Sequence, residues 1–244
     1  MRKFFPALQQ WLWLVLGSFV VLQIFFITRI ACMALWDPAS TAFERSQAWQ
    51  ISSQTGRLPW RQTWKPASDI SNNLKRAVLA SEDSAFTQHK GVWWDSIERA
   101  WSLNAKAQAK QNAATNKSTA APKVVGGSTI TQQLAKNILL SGERNLPRKA
   151  QEWVLTMALE TFLSKKQILT LYLNHVEWGQ GVFGAEAAAQ HYFQKPAASL
   201  NEWEAARLAV MLPRPRFFEK IPQSLYLSER AQTIMARMGN VVPP

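Results

Sequence analysis

Cysteine is almost missing: Cys32 stands alone among 244 residues, so no intrachain disulfide can staple the chain, and the redox compartment stays open. Histidine is scarce as well. Three histidines, with neither an HExxH nor a CxxC spacing, leave no recognisable metal site of the protein's own. Acidic residues are few, 16 Asp and Glu against 28 Lys and Arg, and the net charge of +12 points to an anionic partner: nucleic acid, anionic lipid or a phosphorylated substrate. No nucleic-acid-binding motif accompanies that charge. Runs of alternating polar and apolar residues are absent, and there is no internal repeat, so helix dominates the expected fold.

The composition, 47% hydrophobic and 18% charged, is globular rather than disordered. Arg2 and Lys3 precede a stretch from Phe4 to Thr28 without a charge, densest in apolar residues from Trp11 to Ile27. Roughly 20 such residues cross a bilayer as a helix. The basic flank predicts a cytoplasmic N-terminus and an exported remainder, with Trp11, Trp13 and Trp36 as interfacial aromatics. The competing reading is a cleaved signal peptide, but its apolar region is usually shorter, and Ala31-Cys32-Met33-Ala34 matches a cleavage site poorly. From Asp37 to Asp69 prolines, serines and tryptophans dominate, as in a connector with an incoming strand or short helices, including Leu58 to Trp64.

The stretch Gly126 to Glu152, GGSTITQQLAKNILLSGERNLPRKAQE, organises the rest. Thr129 followed by Gln132 forms a capping box, which predicts a helix start. Ile130, Leu134 and Ile138 then share a packing face, while Thr129, Gln133 and Lys136 share a polar one. The glycines and the helix N-terminus beside them favour an anion, although a plain solvated face would look the same. Pro147 suits the first turn of a second helix, on which Arg148 and Lys149 stand four and three residues before Glu152. This is either a surface ion pair or, with Lys136 and Arg144, a cationic clamp disciplined by one carboxylate.

Upstream, Asn72 to Ser81 is helical and ends in Glu82-Asp83, within ASEDSAFTQHKG. Two carboxylates at the negative end of a helix dipole, near apolar Phe86 and Trp93, are set for a raised pKa, which a general base needs. The bland alternative is that the pair caps the following turn. Between Trp101 and Val125 a basic, low-complexity segment fits a frayed helix, a flap or a solvated loop. Further helices follow from the Ser164/Gln167 capping box, from Ala185 to Phe193, from Leu200 to Leu212 and from Leu225 to Met238; the glycine-rich turn after Asn174 is expected to be structural.

Five blocks in order, EDSAFTQHKG, GGSTITQQLAKN, RKAQE, YLNHVEWGQGVFGAEAAAQHYF and EAARLAVMLPRP, make the chain resemble the peptidoglycan glycosyltransferases of glycosyltransferase family 51. Within that family it is most similar to the monofunctional, membrane-anchored biosynthetic transglycosylases. The resemblance implies a mainly α fold with a large lobe similar to lysozyme and a small membrane-proximal lobe, preceded by one transmembrane helix. It divides the chain into an anchor (1–36), a connector (37–70) and a glycosyltransferase domain (71–244). Glu82 matches the general base and Glu152 the family's second glutamate. Asp83, Phe86, His89, Thr129, Gln132, Gln133, Lys136, Asn137, Arg144, Arg148 and Lys149 fall on matching motif positions that bind substrate or shape the cleft, Phe86 and His89 equally well as scaffold. The implied partners are lipid II, the growing lipid-linked glycan, the anionic membrane and other cell-wall synthesis and division proteins. No cofactor is implied as obligatory, and a divalent Mg²⁺ or Mn²⁺ on the pyrophosphate is the one to consider. The absence of S-x-x-K and K-T-G implies no transpeptidase. The rivals are a lysozyme-type glycan-cleaving enzyme, in which Glu82 is an acid, and a membrane-bound scaffold.

Overall fold

The computed structural model describes residues 4–95, 98, 101–103, 105–106, 127–140 and 146–244. Helix α1 runs from Phe4 to Cys32 without a break, with Pro6 in its first turn, where a missing N–H costs nothing. From Leu8 to Leu22 it is exposed, whereas Ile30 and, just past its end, Met33 belong to the protein core. It is long and apolar enough to cross a membrane.

The connector, expected to hold a strand or short helices, contains one fourteen-residue helix and a short strand. Thr41 and Glu44 form a capping box that starts α2 (Ala42–Thr55), and Gly56 closes it in a left-handed conformation. The helix escapes a periodicity search because it buries little besides Ile51 and Glu44. Glu44 is wholly buried and accepts from Gln62 Nε2 at 2.8 Å, and its Oε1 lies 2.8 Å from His175 Nδ1, which ties α2 to the body. Strand β1 (Arg61–Gln62) then runs parallel to β3 (Val182–Phe183), which pairs antiparallel with β2 (Glu177–Gly179), giving the order β1-β3-β2. Gly181, in the β2–β3 turn, has φ +74° and lies so close to Pro59 that a Cβ would come within 2.0 Å of its carbonyl oxygen. The turn after Asn174 is therefore structural, as expected. Asn174 itself exchanges two hydrogen bonds with the backbone of Lys65, at 2.8 and 2.9 Å.

The remaining helices are α3 (Asn72–Glu82), α4 (Ile130–Leu139), α5 (Leu146–Phe162), α6 (Lys165–His175), α7 (Ala185–Phe193), α8 (Glu202–Met211), α9 (Pro215–Phe218) and α10 (Leu225–Met238). Helix α3 packs against α8 and α10, while α4 packs against α5, α6 and α2, and α1 lies on α5. The C-terminal end of α3 meets the N-terminal half of α4. That junction holds the candidate site.

Candidate active site

Glu82 is the last residue of α3, a helix capped by Ser71 and ended by Asp83. Its half-buried carboxylate accepts a hydrogen bond from Gln133 Nε2 at 2.9 Å. The other end of the same amide, Gln133 Oε1, accepts from the Tyr172 hydroxyl at 3.0 Å. A hydroxyl donor on one side leaves the Gln133 amide one orientation, N–H toward Glu82. Burial raises the pKa of Glu82; hydrogen bonds from Gln133 and Ser81 and the charge of Lys136 draw it back, and Asp83 pushes it up again. The phenol of Tyr172 is pushed well above its ordinary value by burial, then by Glu82 and Asp83, so it stays a donor. Removing that donor frees the amide to turn. Tyr172→Phe is expected to lower kcat about three- to tenfold, the worth of one hydrogen bond, with a small drop in melting temperature, read by steady-state kinetics and circular dichroism.

Asp83 faces the other way. It is buried, receiving the Ile130 N–H at 3.0 Å on Oδ2, with His89 Nε2 at 2.8 Å from Oδ1. The positive end of α4, expected from sequence to await a ligand anion, is thus occupied by the protein's own carboxylate. His89 Nδ1 accepts from the Gly91 N–H at 3.1 Å, so its proton sits on Nε2 and is donated to Asp83. Thr129 caps α4 through Gln132, and its hydroxyl donates to the Gly91 carbonyl at 2.6 Å. Phe86 is 1% exposed, with the Lys165 ammonium 4.4 Å from its ring centre. Asp83, Phe86, His89, Thr129 and Gln132 therefore form the frame that aims Glu82, and none of the five offers an exposed polar group. Gly91 completes this frame at φ +81°, where a Cβ would lie 2.6 Å from Thr156 Cγ2. Gly91→Ala is expected to cost about 2–4 kcal/mol of stability, measured by denaturant unfolding.

A second group stands on α5. Glu152 is buried and binds both Arg148, at 3.2 Å, and Lys149. The spacing read from the sequence delivers this trio unchanged. Lys136 is exposed on α4, one turn beyond Gln133, and Asn137 is half-buried beside it. Arg144 lies outside the described residues, as does most of the segment from Trp101 to Val125. Both Glu152 oxygens already face cations, so this trio does not fit a protein-held metal ion.

A half-buried carboxylate of raised pKa thus faces α4, and α4 packs on α5, which carries Arg148 and Lys149. A family model described as Transglycosylase matches residues 50–239. The chain belongs to the transglycosylase family. It is 47% identical over 223 residues, 91% of the chain, to the biosynthetic peptidoglycan transglycosylase of Burkholderia thailandensis, covering 82% of that protein. Identity is 47% to the Burkholderia orbicola protein, with 86% of it covered, and 45% to that of Burkholderia pseudomallei, with 82% covered. The transglycosylase match begins inside α2, which agrees with the connector being part of the folded body.

Two elements of the candidate site have no signal in the sequence. Tyr172 sits on a packing face and has a hydroxyl whose partner is 39 residues away in sequence. The Glu160 carboxylate, which receives Thr131 Oγ1 and pairs with Lys165 at 2.8 Å, joins α4, α5 and α6. No local spacing announces either.

Proposed function

We propose that the protein polymerises peptidoglycan glycan strands from lipid II. Glu82 takes the proton of the acceptor's 4-hydroxyl as that oxygen bonds to the anomeric carbon of the growing chain. The bond from that carbon to the lipid-linked pyrophosphate breaks, and the α-linked donor becomes a β-1,4 glycosidic link. The observation that carries this reading is the half-buried Glu82, its pKa raised by burial and its carboxylate aimed by Gln133. A base poised near working pH contributes roughly 10²–10⁴-fold.

Pyrophosphate is a weak base and leaves without needing a proton, so charge is what it requires. Arg148 and Lys149, oriented by Glu152, and Lys136 with Arg144 supply it. A glycan-cleaving enzyme of lysozyme type would use a protonated Glu82 and have little need of these cations. The anchor holds the N-terminus in the cytoplasm and the site outside, against an anionic inner membrane and within reach of other cell-wall synthesis and division proteins. Neither S-x-x-K nor K-T-G occurs, and the reading assigns no transpeptidase activity. The test is incubation of the full chain with labelled lipid II, and separately with finished peptidoglycan. Polymer from the first and nothing released from the second is expected; released oligosaccharides without polymer would overturn the reading.

A further inference from the structure

Helix α1 carries one amide in its apolar stretch that finds a partner across the molecule. Gln23 Nε2 donates to Gln151 Oε1 at 3.0 Å, and Gln151 Nε2 returns a bond to Gln23 Oε1 at 2.9 Å. Gln151 immediately precedes Glu152 on the helix of the cationic trio. Above this clasp, Phe26, Ile30 and Met33 face the core, and Gln167 Nε2 donates to the Ala34 carbonyl at 3.2 Å. Below it, Leu8 and every residue from Trp11 to Leu16 stay exposed, as do Phe19 to Leu22. Gln151, near the start of α5, meets Gln23, and Gln167, in the first turn of the α6 that directly follows α5, meets Ala34 just past the end of α1. Helix α5 therefore runs alongside α1 in the same direction, with its charged N-terminal end lowest.

These facts fix a height. About 17 to 20 helical residues span the hydrocarbon, and counted from Phe4 they end between Val20 and Gln23. Placing the span higher would draw Arg148, Lys149 and Glu152 into the apolar interior, where charged side chains are costly. Arg148 and Lys149 stand up to about one turn below Gln151 on α5, so the outer edge of the hydrocarbon falls about one turn below the clasp, near Val20. We propose that the Gln23–Gln151 pair is a positioning element of the reaction: it locks the site helix to the anchor so that Arg148 and Lys149 stand at headgroup level, where a lipid-linked pyrophosphate lies. The inference rests on the lipid-linked donor proposed above. The exposed apolar side chains of Trp153, Val154 and Met157, within two turns further along α5, fit the same interfacial layer.

The test uses the full chain in phosphatidylethanolamine–phosphatidylglycerol vesicles and in detergent micelles, with lipid II as substrate. Gln23→Leu and Gln151→Leu are each expected to raise KM about three- to tenfold in vesicles at nearly constant kcat, and less than about twofold in micelles, which present no fixed plane. The double variant is expected to be no worse than either single one. Equal losses in both media would reduce the clasp to a fold contact, and unchanged kinetics in vesicles would remove it; either overturns the proposal. An activity-independent arm places a fluorophore at Trp153→Cys in a Cys32→Ser background. Quenching by shallow spin-labelled lipids is expected, weaker with Gln23→Leu. If the wild type makes no polymer, the lipid II reading fails while this depth measurement still decides the clasp; a depth unchanged by Gln23→Leu overturns it.

Discussion

Glu82→Gln protein is expected to make glycan polymer at least about a hundredfold more slowly than the wild type and to melt at a higher temperature. Both effects have one cause. Burial lifts the folded-state pKa of Glu82 above its unfolded value, so ionising the carboxylate costs the fold free energy. That cost is absent below the ordinary glutamate range, grows as pH rises through it, and is complete above the folded-state pKa. An amide at position 82 removes the cost at neutral pH and still accepts from Gln133, but it cannot take a proton. The expected loss in kcat is about 10²–10⁴-fold, with labelled lipid II as substrate and thermal melts at pH 5 and pH 8 alongside. Stabilisation should be larger at pH 8. An active Glu82→Gln protein would move the base elsewhere.

The second large effect is expected from Glu152→Gln. The Glu152 side chain is 4% exposed and holds Arg148 and Lys149, whose side chains are 16% and 43% exposed. Removing the carboxylate leaves two cations adjacent without their counter-charge. Breaking a buried pair costs about 3–5 kcal/mol, and the half-open Lys149 moves this site toward the lower figure. Turnover should fall at least about tenfold because the clamp is no longer preorganised for the leaving pyrophosphate. Added Mg²⁺ should not restore it, since both carboxylate oxygens serve cations of the protein. Near wild-type turnover with and without Mg²⁺ would remove Glu152 from the reaction.

Much of this architecture is written in local chemistry. The capping boxes at Thr129 and Ser164 start α4 and α6 where their spacing says, because the reciprocal bonds they make are short-range. The trio of Arg148, Lys149 and Glu152 follows from helical spacing alone. What local spacing conceals is long-range. Asp83 caps a helix 47 residues downstream, which neither a catalytic nor a next-turn reading of Glu82-Asp83 anticipates. Tyr172 looks like one more core aromatic until its hydroxyl meets Gln133. Helix α2 is hidden because its buried residues, Glu44 and Ile51, stand seven apart among polar ones. Only the fold reveals that one face of the far third of the apolar helix, Phe26 and Ile30, meets the core, since membrane and core select the same residues.

The most direct test of the central claim, that Glu82 is the base and burial sets its pKa, is the acid limb of the pH dependence of kcat/KM. It should lie above the ordinary glutamate range in the wild type. In Gln133→Leu, which removes a hydrogen bond that favours the ionised form, it should move higher still. A limb at the ordinary carboxylate value, unmoved by Gln133→Leu, would contradict the account.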